Sequence, residues 1–187
     1  MRSPPARLQW LVLAAGFGAT STEICASRLL APYFGASTVV WANVIGLVLA
    51  ALAVGYWLGG RIADRYPHPH VLGGLVVAGA ALIVVVPFVA QPLLDLTVNG
   101  LNNVSAGAVV GSFIGTLVLF APPVVLLGTA APFAIRLAVS DVAVAGTVAG
   151  RLYALSTVGS SFPHDNMQPY LTLNFNICMQ GIFPPRS

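Results

Sequence analysis

The sequence predicts an all-α membrane protein, a polytopic helical bundle, and three observations carry that expectation. Long apolar stretches run roughly over 8–22, 37–60, 71–90 and 106–131. Nearly every charge within the first hundred and fifty residues falls in the breaks between them, with Glu23 the main exception. Apolar residues make up 57% of the 187 positions and charged ones 7%, too little polar surface to coat a soluble globule. A helix needs only about 20 apolar residues to cross the hydrocarbon core. The expected transmembrane domain covers 1–160, with four clear spans at about 8–30, 37–60, 71–90 and 106–131 and a partial fifth at 142–161.

Arg2 and Arg7 precede the first span. Two Arg before an apolar run also imitate a signal peptide, but Glu23 and the lack of an A-x-A cleavage site favour a retained span. Pro32 followed by Gly35 is expected to break this helix after Leu30, and Ser37 or Thr38 to cap the second, making spans one and two a tight antiparallel pair. Pro67 and Pro69 stop the second helix and the loop after it. Pro87 and the pair Pro122, Pro123 predict kinks in or near spans three and four.

The fifth span is harder to fit. Started after Arg151, it has about ten apolar residues before Phe162 and Pro163, a rise of ~15 Å against a hydrocarbon core of ~30 Å. Started near Val142 it is long enough, but Arg151 then sits near the bilayer centre, which is costly without a partner. From 161 to 187 the composition shifts: Ala and Val vanish and Asn, Gln, Met, Phe and Pro take their place. The shift reads as a junction, and foreign sequence after a frameshift or truncation explains it better than a natural disordered tail.

Arg placement sets an expected orientation. Arg2, Arg7, Arg61, Arg65, Arg136 and Arg151 flank alternate ends of the spans, whereas the other two connections hold Arg28 and no Arg. The positive-inside rule therefore puts the N-terminus and the Asp64 loop in the cytoplasm. The eight basic residues are all Arg and are scattered singly, so no nucleic-acid patch is expected. Cys25 and Cys178 form no spaced metal or redox pattern. His68 and His70 flank Pro69 without a third ligand nearby, so no metal site or cofactor is expected. Trp10, Tyr33, Trp41 and Trp57 fall near span ends, where interfacial aromatics belong. Asn103, Val104 and Ser105 spell a glycosylation sequon that matters only in a eukaryotic secretory pathway. Gly pairs at four-residue spacing (Gly55 and Gly59, Gly107 and Gly111, Gly111 and Gly115, Gly146 and Gly150) read as ordinary membrane-helix composition.

Glu23 is the sharpest candidate for function. A charge at a span centre costs about 2.5 to 3.5 kcal/mol on insertion scales, so such a residue usually faces the bundle interior and has a partner. Arg28 is the nearest cation, but five positions at 100° each put the two about 140° apart on a regular helix. Thr20 or a group on another span serves equally well. A structural role, hydrogen-bonded between helices, is preferred here to binding of a cation, a proton or a polyamine amine.

Four runs then carry a resemblance: 16–35 (GFGATSTEICASRLLAPYFG), 54–65 (VGYWLGGRIADR), 131–137 (APFAIRL) and 146–160 (GTVAGRLYALSTVGS). In this order they are similar to the membrane region of bacterial fused proteins that join a major-facilitator-like transmembrane domain to a spermidine-synthase-like domain. The likeness covers about 8–160 and implies a multi-pass protein of the bacterial inner membrane. In that family the last run continues as another membrane helix and a soluble aminopropyltransferase-like domain follows; this chain departs at about Ser160. No G-x-G-x-x-G loop is present, and five scattered acids cannot form the carboxylate cluster that a polyamine would need. More loosely, Gly60, Arg61, Asp64 and Arg65 resemble the G-x-x-x-D-R part of the major-facilitator loop between helices two and three, whose Asp braces a cytoplasmic gate. Tyr66, Pro67 and His68 stand where that motif continues with Gly-Arg-Lys. The plainer reading is a cytoplasmic turn, with a contact of Asp64 to Arg61 or to a helix N-terminus as the alternative.

Three functions compete. The favoured one is a membrane domain that holds, and could feed, an aminopropyltransferase-like domain, itself without catalytic activity. The others are a small-molecule or polyamine carrier fragment that needs homo-oligomerisation, and a vestigial structural membrane protein. The lipid bilayer is the partner common to all three.

Overall fold

The computed structural model describes residues 6–35, 37–101, 107–139 and 145–160. Among these residues the chain is built of helices and no strand: α1 (Ala6–Phe34), α2 (Thr38–Arg65), α3 (Pro69–Leu101), α4 (Gly107–Leu119), α5 (Ala121–Gly128), α6 (Ala130–Ala138) and α7 (Ala145–Ser160). Three stretches are long and apolar enough to cross a membrane: Thr38–Arg65, Pro69–Gly100 and Ala121–Ala138. The helical bundle is as expected, but that count falls short of four clear spans. α1 has the length, yet the polar run Thr20, Ser21, Thr22, Glu23 and then Ser27 and Arg28 lower its hydropathy.

The ends of α1 and α2 follow local chemistry. α1 does not stop at Leu30; it runs through Pro32 to Phe34. Pro32 removes only the bond that its own N–H would give to the Arg28 carbonyl, and so late in the helix that loss is tolerated. Termination falls to Gly35, whose φ of 79° is left-handed and whose N–H donates to the Ala31 carbonyl at 2.9 Å. Ser37 caps α2, its hydroxyl accepting from the Val40 N–H at 3.3 Å. At the far end of α2 the Tyr66 N–H bonds the Ile62 carbonyl at 2.8 Å. Pro69, which has no N–H to leave unpaired, opens α3.

The fourth apolar block is divided. Pro122 and Pro123 cannot donate to the Val118 and Leu119 carbonyls, and the helix breaks at Phe120 just ahead of them. Pro132 likewise leaves the Gly128 carbonyl without its donor, and a second break falls at Thr129. There the Thr129 N–H is shared between the Val125 and Leu126 carbonyls at 3.3 and 3.2 Å, and its hydroxyl donates to Leu126 at 2.6 Å. α3, by contrast, stays one helix through both Pro87 and Pro92, so the expected kink near Pro87 is not a break in the helix.

The short α5 occupies the middle of the bundle, touching α1, α2, α3, α4 and α6. It gets there because glycines let backbones meet. A methyl group on Gly55 would overlap the Val125 carbonyl and lie 3.0 Å from the Gly128 Cα, and one on Gly59 would lie 2.6 Å from the Thr129 Cα. The pair Gly55 and Gly59 is therefore a true helix-packing groove and not a compositional accident. Gly111 and Gly115 similarly receive Phe34 and Leu94, whereas Gly146 and Gly150 face open space.

The core divides along the bundle axis. One apolar cluster, around Leu30, Phe34, Val44, Val48, Leu94 and Val124, fills the end near the α1–α2 turn. A second, around Val12, Leu72, Phe133, Ala134 and Leu152, fills the opposite end. Outward, α3 presents Val77, Val84, Phe88 and Leu96. Such a continuous apolar exterior suits lipid and not water.

Candidate functional site: a polar cavity beside Glu23

Midway along the bundle, at the edge of the second apolar cluster, Val12, Ala15, Ala19, Leu127 and Ala130 of that cluster meet a few polar side chains. A cavity of about 130 Å³ lies there, walled by α1, α2, α5, α6 and α7. α1 supplies Glu23 and Thr20, α2 supplies Tyr56, and α7 supplies Ser156; Leu52 and Leu127 form apolar wall. Glu23 lies ~25 Å along α1 from Ala6 and ~16 Å from Phe34, at the helix rise of ~1.5 Å per residue. It is half-buried, and it and Ser156 both take part in polar or electrostatic interactions. Tyr56 is 40% exposed, so its ring belongs both to the cavity wall and to the outer surface of α2. Nearby Thr22 is fully inside the bundle and is satisfied by donating to the Gly18 carbonyl at 2.7 Å.

The geometry separates the candidates read from the sequence. Glu23 reaches the cavity; Arg28 is exposed on α1 and does not line it. Gly60, Arg61, Asp64 and Arg65, expected in a turn, are instead helical: they form the last turns of α2, beyond the cavity. Asp64 forms an ion pair with Arg136 of α6 at 3.1 Å, a partner on another helix and not the neighbouring Arg61. Arg61 instead stacks over the Trp57 ring, 4.8 Å from its centroid. His68 and His70 are exposed, and among the described residues no group of three His, Cys, Asp or Glu could hold a metal ion. Cys25 is an exposed free thiol. The sequon at 103–105, Cys178 and the tail 161–187 lie outside the described residues.

Compared with family models, with curated proteins and with solved structures, the chain matches none.

Sequence reasoning passed over three polar positions. Tyr56 and Ser156 carry no motif of their own, although Tyr56 adjoins Gly55, whose close helix approach marks that face. Asn43 carried no motif, yet its amide donates to the Val109 carbonyl and the Ser112 hydroxyl, both at 3.1 Å, tying α2 to α4. A lone Asn in an apolar run was the available signal.

Proposed function

We propose that this chain is the membrane domain of a spermidine-synthase-like protein of the bacterial inner membrane, holding and feeding an aminopropyltransferase-like domain, with the polar cavity as its working centre. One observation supports this above the others. The four runs that carry the resemblance contribute to the same cavity: Glu23 from 16–35, Tyr56 from 54–65, Ala131 from 131–137 and Ser156 from 146–160. In this reading α1, α2, α3, the broken stretch α4–α6 and α7 all cross the bilayer, with the N-terminus and the Asp64–Arg136 pair on the cytoplasmic side.

Sequencing the source locus through and beyond the codon for Ser160 in all three frames tests the reading. An apolar span followed by a Gly-rich cofactor loop and clustered acids is the expected result. Unrelated sequence in every frame overturns it. A small-molecule carrier is the second reading, favoured by the position of the cavity midway along the helices, where carriers hold substrate. Accumulation of labelled polyamine in vesicles holding only this chain would raise it above the first.

A further inference from the structure

We infer that the outward face of α2, at its Arg65 end, is a binding site for one anionic phospholipid, with the lipid phosphate held by Arg61 and Arg65 and an acyl chain lying along the helix. Trp57, Arg61 and Arg65 recur at four-residue spacing, so they form one stripe on the helix, and all three are exposed. The Arg61 guanidinium is not loose: it is held over the Trp57 ring, 4.8 Å from its centroid. Arg65 stands one turn further on, where neighbouring Cβ atoms are ~6 Å apart. Two guanidinium groups so placed can grip one phosphate between them, an anion whose oxygens suit their planar fork.

Charge sets this pair apart from the other cations at the same end of the bundle. Arg136 is neutralised by Asp64 at 3.1 Å. Arg61 and Arg65 have no ion-pair partner among the described residues. Arg7 and Arg151 lie on α1 and α7, each with no second cation within a turn among the described residues. Two uncompensated positive charges on one face favour a headgroup of net negative charge over a zwitterionic one, whose own ammonium they would repel.

Depth argues for a lipid and against a free anion. Inward from Arg61 the same side of α2 carries Trp57, Val54, Ala53, Ala50 and Leu49, all exposed. From Leu49 to Arg61 the helix rises ~18 Å, close to the ~15 Å of half a hydrocarbon core. Cation, interfacial aromatic and apolar run thus follow the order of headgroup, glycerol and chain within one leaflet. The site is separate from the Glu23 cavity and independent of any soluble domain the bundle carries.

Native mass spectrometry of the full chain in detergent, titrated with phosphatidylglycerol, phosphatidylcholine or inorganic phosphate, tests the site. Saturable retention of one phosphatidylglycerol per chain is expected. Phosphatidylcholine should be held several-fold more weakly, and an excess of inorganic phosphate should not displace the lipid. Arg61→Gln combined with Arg65→Gln should weaken phosphatidylglycerol by about tenfold or more, the surface attraction of two Arg, and Trp57→Leu several-fold. Arg28→Gln, near the opposite end of α1 from Arg7, should leave it unchanged. Equal retention of the two lipids, or unchanged affinity in the double variant, overturns the proposal. Displacement by phosphate would mark a free-anion site and also overturns it, as does an equal loss from Arg7→Gln combined with Arg151→Gln, which would mean attraction to the basic end as a whole. If the double variant fails to insert, Arg65→Gln and Trp57→Leu decide: weakening in either supports the site, and unchanged affinity in both overturns it.

Discussion

Gly16 of α1 lies directly against the backbone of Ser156 in α7: a methyl group at Gly16 would overlap the Ser156 carbonyl oxygen and approach its Cα and carbonyl carbon to 3.2 Å. This contact sets the separation of α1 and α7 at the cavity, since both residues line it. Backbone cannot rotate away as a side chain can, so the fit depends on the missing Cβ.

Gly16→Ala should therefore destabilise the bundle by about 1–3 kcal/mol, the range for overpacking, and Gly59→Ala by a similar amount through Thr129. Gly46→Ala is the control. Nothing lies within 4 Å of a Cβ there, and replacing a helical Gly by Ala should stabilise by up to about 1 kcal/mol. Thermal unfolding of the three variants in one detergent checks the ordering; equal loss at Gly16 and Gly46 would refute the packing account.

Asn43→Leu removes both hydrogen bonds from α2 to α4 while keeping the helix apolar. Interhelical side-chain bonds in membranes are worth about 0.6 kcal/mol on average and up to about 1.7, so a loss near 1 kcal/mol is expected. Pairing it with Ser112→Ala in a double-mutant cycle should show coupling between the two positions, because Ser112 accepts one of the bonds and itself donates to Val109 at 2.9 Å.

The Asp64–Arg136 pair should contribute little to stability despite its short distance. The side chains are 73% and 51% exposed, respectively, and exposed ion pairs are worth about 0–1 kcal/mol. A cycle of Asp64→Asn and Arg136→Gln is expected to give a coupling under about 1 kcal/mol that shrinks as salt is raised. A coupling of several kcal/mol that ignores salt would mean that the pair is shielded in the membrane.

Orientation can be read with a single thiol. With Cys25 and Cys178 changed to Ser, His68→Cys, in the exposed turn between α2 and α3, should react with a membrane-impermeant maleimide only after the cytoplasmic side is opened. Labelling in intact spheroplasts would reverse the topology.

The apolar helices and several of their ends were legible along the chain because they depend on near neighbours: apolar run length, the terminating Gly35, the Ser37 cap and the prolines at 122 and 123, although the passage of α1 beyond Leu30 and the break at Thr129 ahead of Pro132 were not. Glu23 too was legible, since a charge in an apolar run is conspicuous wherever it faces. What helix meets what, and through which side chains, came only from the tertiary structure. Asp64 found Arg136, Asn43 found Ser112, Gly55 and Gly59 received α5, and five helices closed on one cavity. In water the hydrophobic stripe of a helix announces its buried face. In a bilayer the lipid-facing and core-facing sides are alike apolar, as the outward Val84 and Phe88 and the inward Val86 and Leu94 of α3 illustrate. Hydropathy then cannot tell them apart, and the choice passes to small residues and close backbone fit, which exist only once the helices are together.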